Sequence, residues 1–281
     1  MSQQVGRAIG LIPVSDTTLY YEMAGEGPAL VFLHGSMVNR RMWDDQFNYF
    51  SQFYTVIRYD KRGNGNSALI TERDVPYALH EDLWHLLRYL RIERAALIGL
   101  AQGGSTAIDF ALTYPEMVTA LVPVSASISG YAFRSASDEN PLWHEVQNAR
   151  KKGDLAELVR LLQRFWTDGP WRTPEQVHPA IRERLQRMIE ETVARPNHAQ
   201  AATARPLDPP AAGRLASITV PTLIITGEKD FLDMASYAHI LQTQIHAAQK
   251  KVVMGAGHYV NMEQPQEFNS IVRAFLQDIL R

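Results

Sequence analysis

The chain contains no cysteine among its 281 residues, which excludes disulfides, thiolate metal sites and a cysteine nucleophile, while leaving the redox compartment open. It also lacks an excess of either charge. Lysines and arginines number 28 against 30 acids, for a net charge of -2, and both signs are spread along the chain. This balance gives no long-range field suited to nucleic acid or to an anionic membrane. No apolar run approaches the ~20 residues of a membrane span, and the polar start Met1-Ser2-Gln3-Gln4 lacks a basic segment followed by an apolar one. A soluble, cytoplasmic protein acting on a small molecule is therefore expected, with no nucleic-acid or membrane partner, and oligomeric state is left open.

The residues that are present are apolar in a regular way. With 46% hydrophobic residues the chain can bury a large core and is no free-standing peptide or disordered tail. Apolar runs suited to buried strands recur at Ala29 to Leu33, Tyr54 to Tyr59, Ala95 to Leu100, Ala120 to Val124, Thr222 to Ile225 and Lys251 to Met254. Helical patterns lie between them, with Leu83, Leu86, Leu87 and Leu90 on one apolar face and Phe268, Ile271, Val272, Phe275 and Ile279 on another. This alternation predicts an α/β class with a mostly parallel central sheet flanked by helices, and a ligand site beyond the carboxyl ends of the strands.

The alternation stops between residues 135 and 215. Helical pieces at Pro141 to Lys152, Leu155 to Trp166 and Pro179 to Val193 lead into an Ala/Pro-rich exit through Pro206, Pro209 and Pro210. The expected organisation is a core of residues 1–134 and 216–281 with an inserted helical cap, or lid, over 135–215.

Three strand ends carry chemistry. Ala95 to Leu100 runs into Ala101-Gln102-Gly103-Gly104, a strand, a tight turn and a helix start, which is the context of a G-x-S-x-G nucleophile elbow with alanine in place of serine. A helix is predicted from there to about Tyr114. Pro221 to Gly227 delivers Asp230, and Val252 to Met254 delivers His258. Nucleophile position, acid and base thus come one after another along the chain. Taken singly, Asp230 reads equally as a helix cap and His258 as a loop histidine; the order of all three after strands is what favours a catalytic set. Asp233, three residues on, is a second candidate acid better placed in the following helix.

These segments resemble the α/β-hydrolase fold, in its lid-bearing group of esterases, lactonases and carbon-carbon bond hydrolases. The resemblance spans the chain from Leu19 to the last helix. Leu33-His34-Gly35-Ser36 is similar to the family's H-G loop, and Asp60-Lys61-Arg62-Gly63-Asn64-Gly65-Asn66-Ser67 is similar to its D-x-R-G-x-G-x-S turn, with Asn64 where histidine is common. The resemblance implies a Ser-His-Asp triad in which His258 is base and then acid and Asp230 orients it, with backbone N–H groups of Ser36 and Gln102 as the oxyanion hole. It implies hydrolysis of a carboxylic ester or lactone through an acyl-enzyme, and inactivity as written, because Ala101 has no atom that attacks. Carbon-carbon cleavage of a diketone-type substrate is the alternative within enzymes.

Three explanations of Ala101 stand together: an introduced serine-to-alanine change, a ligand-binding pseudoenzyme, and chemistry that needs only His258 and Asp230, as in cofactor-independent oxygenases similar to this fold. Gly35 to Trp43 is similar to the corresponding loop of enol-lactonases, which makes Arg40 and Arg41 candidates for a substrate carboxylate, beside a plain reading as solvated arginines. Trp143, Phe165, Trp166 and Trp171 are candidates for lining a pocket from the cap, or for packing it. No cofactor or metal is expected. Gly63-Asn64-Gly65 lacks the rest of a dinucleotide loop, and His80 and His85 lie about 140° apart on a helix of 3.6-residue period.

Overall fold

A computed structural model describes residues 7–69, 76–137, 139–195 and 204–280. Its eight-stranded sheet has the order β1-β2-β4-β3-β5-β6-β7-β8. An antiparallel hairpin of β1 (Arg7–Val14) and β2 (Thr17–Ala24) leads in, and β2 pairs antiparallel with β4 (Thr55–Tyr59). From β4 onward the pairing is parallel, through β3 (Ala29–Leu33), β5 (Ala95–Leu100), β6 (Val118–Val124), β7 (Leu223–Gly227) and β8 (Gln249–Val253). The predicted parallel runs fall on these strands, with ends moved by one or two residues. The hairpin is not foreseen by the apolar pattern, because its exposed outer face breaks up the run that marks a doubly covered strand.

Helices cover both faces. They are α1 (Asp44–Phe50), α2 (Leu79–Tyr89), α3 (Gln102–Thr113), α4 (Pro141–Lys152), α5 (Leu155–Leu162), α6 (Pro179–Val193), α7 (Leu232–Gln244), the short α8 (Val260–Glu263) and α9 (Pro265–Leu276). Leu83, Leu86 and Leu87 of α2 are buried on one side of the sheet; Phe268 and Val272 of α9 are buried on the other. Phe32 of β3 stacks on Trp43 at 4.8 Å, and Phe268 lies 5.9 Å beyond.

Between β6 and β7 the chain runs through α4, α5 and α6, whose Val146, Leu158, Leu161, Leu162, Ile189 and Val193 make a small core of their own. Asn140 caps α4 by accepting from the N–H of Leu142 at 3.0 Å, and Gly153 ends it at φ 68°. The helix expected to run from Leu155 to Trp166 instead ends at Leu162 and widens into a π-helical turn over Gln163–Asp168. Part of the Ala/Pro-rich exit, 196–203, lies outside the described residues, as do Met1 to Gln4. No described helix is long and apolar enough to cross a membrane.

A buried ion network ties the antiparallel edge to the parallel body. Glu22 of β2 faces Arg58 of β4 across the sheet and pairs with it at 2.6 Å. Glu22 also holds Arg40 at 2.8 Å, and Arg40 reaches on to Asp60 at 2.6 Å. Burial alone would raise the Glu22 carboxyl, but hydrogen bonds and charge from Arg40 and Arg58 bring it down to about 2. A carboxylate depressed from 4.5 to about 2 contributes stability that is present above 4.5 and lost as pH falls toward 2. Glu22→Gln is expected to cost about 3 kcal/mol at pH 7. Urea titrations should show the gap to the unsubstituted protein narrowing between pH 4.5 and 2, and a pH-independent gap counts against the account.

Candidate active site

The turn between β5 and α3 is strained where the sequence places the nucleophile. Ala101 sits at φ 52°, ψ -115°, a region costly for an L-residue. Its N–H donates to the Val124 carbonyl at 2.9 Å and its carbonyl accepts from Ser105 at 3.0 Å. Close approach of α3 to the sheet enforces the turn. A Cβ added to Gly99 would lie 2.2 Å from the Gly103 carbonyl oxygen, and one on Gly103 would lie 2.2 Å from that of Leu33. No side chain fits at either position.

Two candidate oxyanion donors lie on either side of this turn. Gln102 opens α3, so its N–H belongs to the first helical turn and has no intrahelical acceptor. Ser36 lies in the loop after β3, whose carbonyls at Ser36 and Val38 accept from Asn64 Nδ2 at 3.3 Å each. Asn64, at the position where the similar turn commonly has histidine, therefore braces this loop from the end of β4. Among the described residues neither the Ser36 nor the Gln102 N–H is taken by an acceptor.

Asp230 lies just past β7 and His258 just past β8, and the two side chains meet. His258 Nδ1 lies 3.0 and 3.2 Å from the two Asp230 carboxylate oxygens. A carboxylate only accepts, so Nδ1 carries the proton and Nε2 is left as a base. Asp230 also accepts from the N–H of Phe231 at 2.8 Å, and both members of the pair are buried. Asp233 is elsewhere: it caps the chain at Arg134 and Ser135.

The segment from the π-turn to Arg172 reaches this pair at three points. The Trp166 ring lies 5.0 Å from that of His258 at 36°. Trp171 donates from Nε1 to the Asp230 carbonyl at 3.0 Å. Arg172 pairs with Glu263 and donates to the carbonyls of Asp168 at 3.1 Å and Thr167 at 2.8 Å, while Glu263 accepts from the Gly257 N–H at 3.1 Å. Of the four aromatic candidates, Trp166 meets the histidine directly and Trp171 the backbone of the acid. Trp143 packs against Phe165 at 5.0 Å, and Phe165 against Phe231 at 4.9 Å.

The arginine candidates are spent elsewhere. Arg40 is buried in the network with Glu22 and Asp60, and Arg41 is paired with Glu191 near the surface. For Arg40 the solvated reading misses the buried acids Glu22 and Asp60, whereas Arg41 is 42% exposed, as the solvated reading has it.

Lys61 reads in the sequence only as part of a turn, yet it is 2% exposed. Its ammonium donates to the side-chain oxygen of Gln102, and burial brings it down to about 7. Its N–H donates to His34 Nε2 at 3.0 Å, and His34 Nδ1 in turn donates to the Gly35 carbonyl at 2.7 Å. Burial, with the Lys61 charge, holds His34 well below the usual range, so the ring is neutral. The only signal in the sequence is a lysine two residues past a buried strand. Among the described residues no group of histidines and acids is arranged to hold a metal ion.

Comparison with known proteins bears on the family and the fold. A profile described as "Alpha/beta hydrolase family" matches residues 30–271. The chain is 28% identical to 3-oxoadipate enol-lactonase 1 of Acinetobacter baylyi, over 90% of each chain. It is 26% identical to 2-hydroxy-6-oxo-6-phenylhexa-2,4-dienoate hydrolase of Comamonas testosteroni, over 94% of this chain and 93% of the relative. A crystal structure of a hydrolase from Pseudomonas aeruginosa superposes with a TM-score of 0.79 at 28% identity, covering 95% of this chain and 98% of the other.

The strain at position 101 has a measurable consequence. Ala→Gly ordinarily destabilises, but at φ 52° glycine relieves more than its added chain entropy takes away. Ala101→Gly is expected to raise stability by about 1 kcal/mol in denaturant titration. Gly103→Ala, with its Cβ against the Leu33 carbonyl, should lose about 3 kcal/mol or more. A loss in Ala101→Gly would show that the turn is relaxed.

Proposed function

The chain belongs to the α/β-hydrolase family, and on that premise we propose that its site is built for hydrolysis of a carboxylic ester or lactone. The observation that carries the reading is the His258–Asp230 pair at 3.0 Å beyond the end of the sheet that also holds the strained turn at Ala101. With serine at 101, His258 Nε2 takes the hydroxyl proton as Oγ attacks the substrate carbonyl, and the oxyanion is held by the N–H groups of Ser36 and Gln102. The imidazolium then protonates the leaving alkoxide, which departs as the acyl-enzyme forms. Water, deprotonated by the same nitrogen, releases the acid and restores the hydroxyl. Asp230 holds the ring through Nδ1 and Trp166 packs on it.

Alanine at 101 removes the attacking atom and leaves the remaining groups in place. In this reading the protein as it stands binds a substrate without forming an acyl-enzyme. Residues 135–215 act as the cap, with α4 to α6 over the site and the segment Trp166 to Arg172 pinned against the acid and the base. The similarity to enol-lactonase 1 of Acinetobacter baylyi supports lactones within the substrate class.

The test is hydrolysis of a panel of aryl esters, lactones and enol-lactones, with a vinylogous diketone for carbon-carbon cleavage, by the protein as given, Ala101→Ser and Ala101→Ser/His258→Ala. Ala101→Ser is expected to exceed the alanine protein by on the order of ten-thousandfold or more, and the double variant to lose that gain. Turnover confined to the diketone moves the reading to carbon-carbon hydrolysis. Silence in Ala101→Ser with oxygen consumption by the alanine protein that depends on His258 overturns hydrolysis altogether.

A further inference from the structure

We propose that Lys61 and the side-chain amide of Gln102 form an anion subsite that seats a ligand carboxylate beside position 101, a role that rests on reading this end of the sheet as the ligand site. Lys61 lies just past the end of β4, and its ammonium donates to Gln102 Oε1. With Oε1 turned toward Lys61, Nε2 of Gln102 becomes the free end of the amide, and among the described residues it donates to nothing. Two donors therefore stand together next to the turn, one a neutral amide and the other a buried amine that a bound carboxylate would hold in its ammonium form.

The buried charges elsewhere show what is unusual here. Arg40, Arg58, Arg62 and Arg172 are each less than a tenth exposed, and each holds a carboxylate: Glu22 and Asp60, Glu22 and Asp44, Asp82 and Asp16, and Glu263. Lys61 is as deeply buried as any of them and, among the described residues, pairs with no carboxylate. The acids nearest in sequence are committed. Asp60 accepts from Arg40 and from the N–H of Asn66, and Asp82 takes Arg62 through both oxygens. His34, which touches Lys61 through the backbone, is neutral.

The helix adds to the imbalance. Gln102 opens α3, whose N-terminal end is positive, so the Lys61 amine and a positive dipole end meet at one residue. A carboxylate there accepts from Nζ and from Nε2 with its two oxygens and neutralises one charge with one charge. A neutral ester supplies only weaker acceptors, and a phosphate dianion carries a charge that no second cation is present to match. The specificity implied is for substrates with a free carboxylate in addition to the bond that is cleaved.

Because the alanine protein lacks a nucleophile, the subsite is testable by equilibrium binding. Monomethyl glutarate and dimethyl glutarate share a skeleton and differ by one charge. By calorimetry the monoanion is expected to bind at least tenfold tighter than the diester, and acetate, propionate and monomethyl glutarate to raise the thermal midpoint relative to chloride at equal ionic strength. Lys61→Met should erase both effects. Gln102→Glu, which gives the ammonium a permanent counter-charge, should erase them while keeping or raising the thermal midpoint, so a folding failure of Lys61→Met does not decide the matter. Equal affinity for the two esters, no carboxylate effect on the midpoint, or a preference that survives in either variant overturns the subsite. Hydrolysis by Ala101→Ser of 4-nitrophenyl acetate or of its carboxylate-bearing counterpart, 4-nitrophenyl hemiglutarate, separates the two readings. Carboxylate binding without that hydrolysis removes the hydrolase reading and leaves the subsite, and hydrolysis without carboxylate binding does the reverse.

Discussion

The close approach of α3 to the ends of β3 and β5 is the constraint on which the site depends. At Gly99 and Gly103 backbone meets backbone at distances that exclude a Cβ, so the chain leaving β5 can enter the helix only through a positive φ at Ala101. That single forced dihedral sets the neighbours in place. It starts α3 at Gln102, whose N–H has no intrahelical acceptor, and brings the Gln102 side chain to Lys61. Relaxing the turn would move both together.

The remaining groups arrive because parallel strands deliver their loops to the same end. β5, β6, β7 and β8 are consecutive in the sheet, so the loop leaving each strand at its carboxyl end lies within one side chain's reach of the next. Asp230 and His258 come from adjacent strands and need only short excursions to meet. The stretch of chain after α5 holds them there. By widening from α-helix to π-turn over Gln163–Asp168, it places Trp166 on the imidazole and sends Trp171 and Arg172 on to the two loops that carry the pair. A π-turn sacrifices regular helical hydrogen bonding, and its recurrence at functional sites fits the work it does here.

The parallel strands, the elbow and the acid-base pair were legible because each has a local signature: an apolar run, a glycine-spaced turn, a polar residue directly past a strand. Arg40 shows where legibility stops. Its partners Glu22 and Asp60 are distant in sequence and come together only through the antiparallel pairing of β2 with β4, whose hairpin carries no doubly buried run. Lys61 illustrates the same limit from the other side. Nothing in a turn motif says that a lysine will be buried, because burial is decided by what α3 and the loop after β3 place over it. The break after Leu162 was equally hidden, since Leu155 to Trp166 keeps helical periodicity while one wider turn changes which faces Trp166 and Phe165 present.

The energetics bear on what Ala101 means. A chain with no use for this corner has stabilising substitutions within one step: glycine at 101 to relax the turn and a neutral residue at 61 to remove an unmatched buried charge. The protein carries alanine in a strained dihedral, a buried lysine without an acid, and a histidine-aspartate pair 3% and 5% exposed. The strained dihedral at Ala101 and the buried Lys61 side chain are costly in the free protein, and in the proposed reading a substrate carbonyl at the two N–H groups and a carboxylate at Lys61 are the occupants the site is built to hold. In the proposed reading, alanine at position 101 supplies no attacking atom but leaves these binding groups in place. The proposed function is accordingly that of a ligand-competent site that stops short of covalent chemistry.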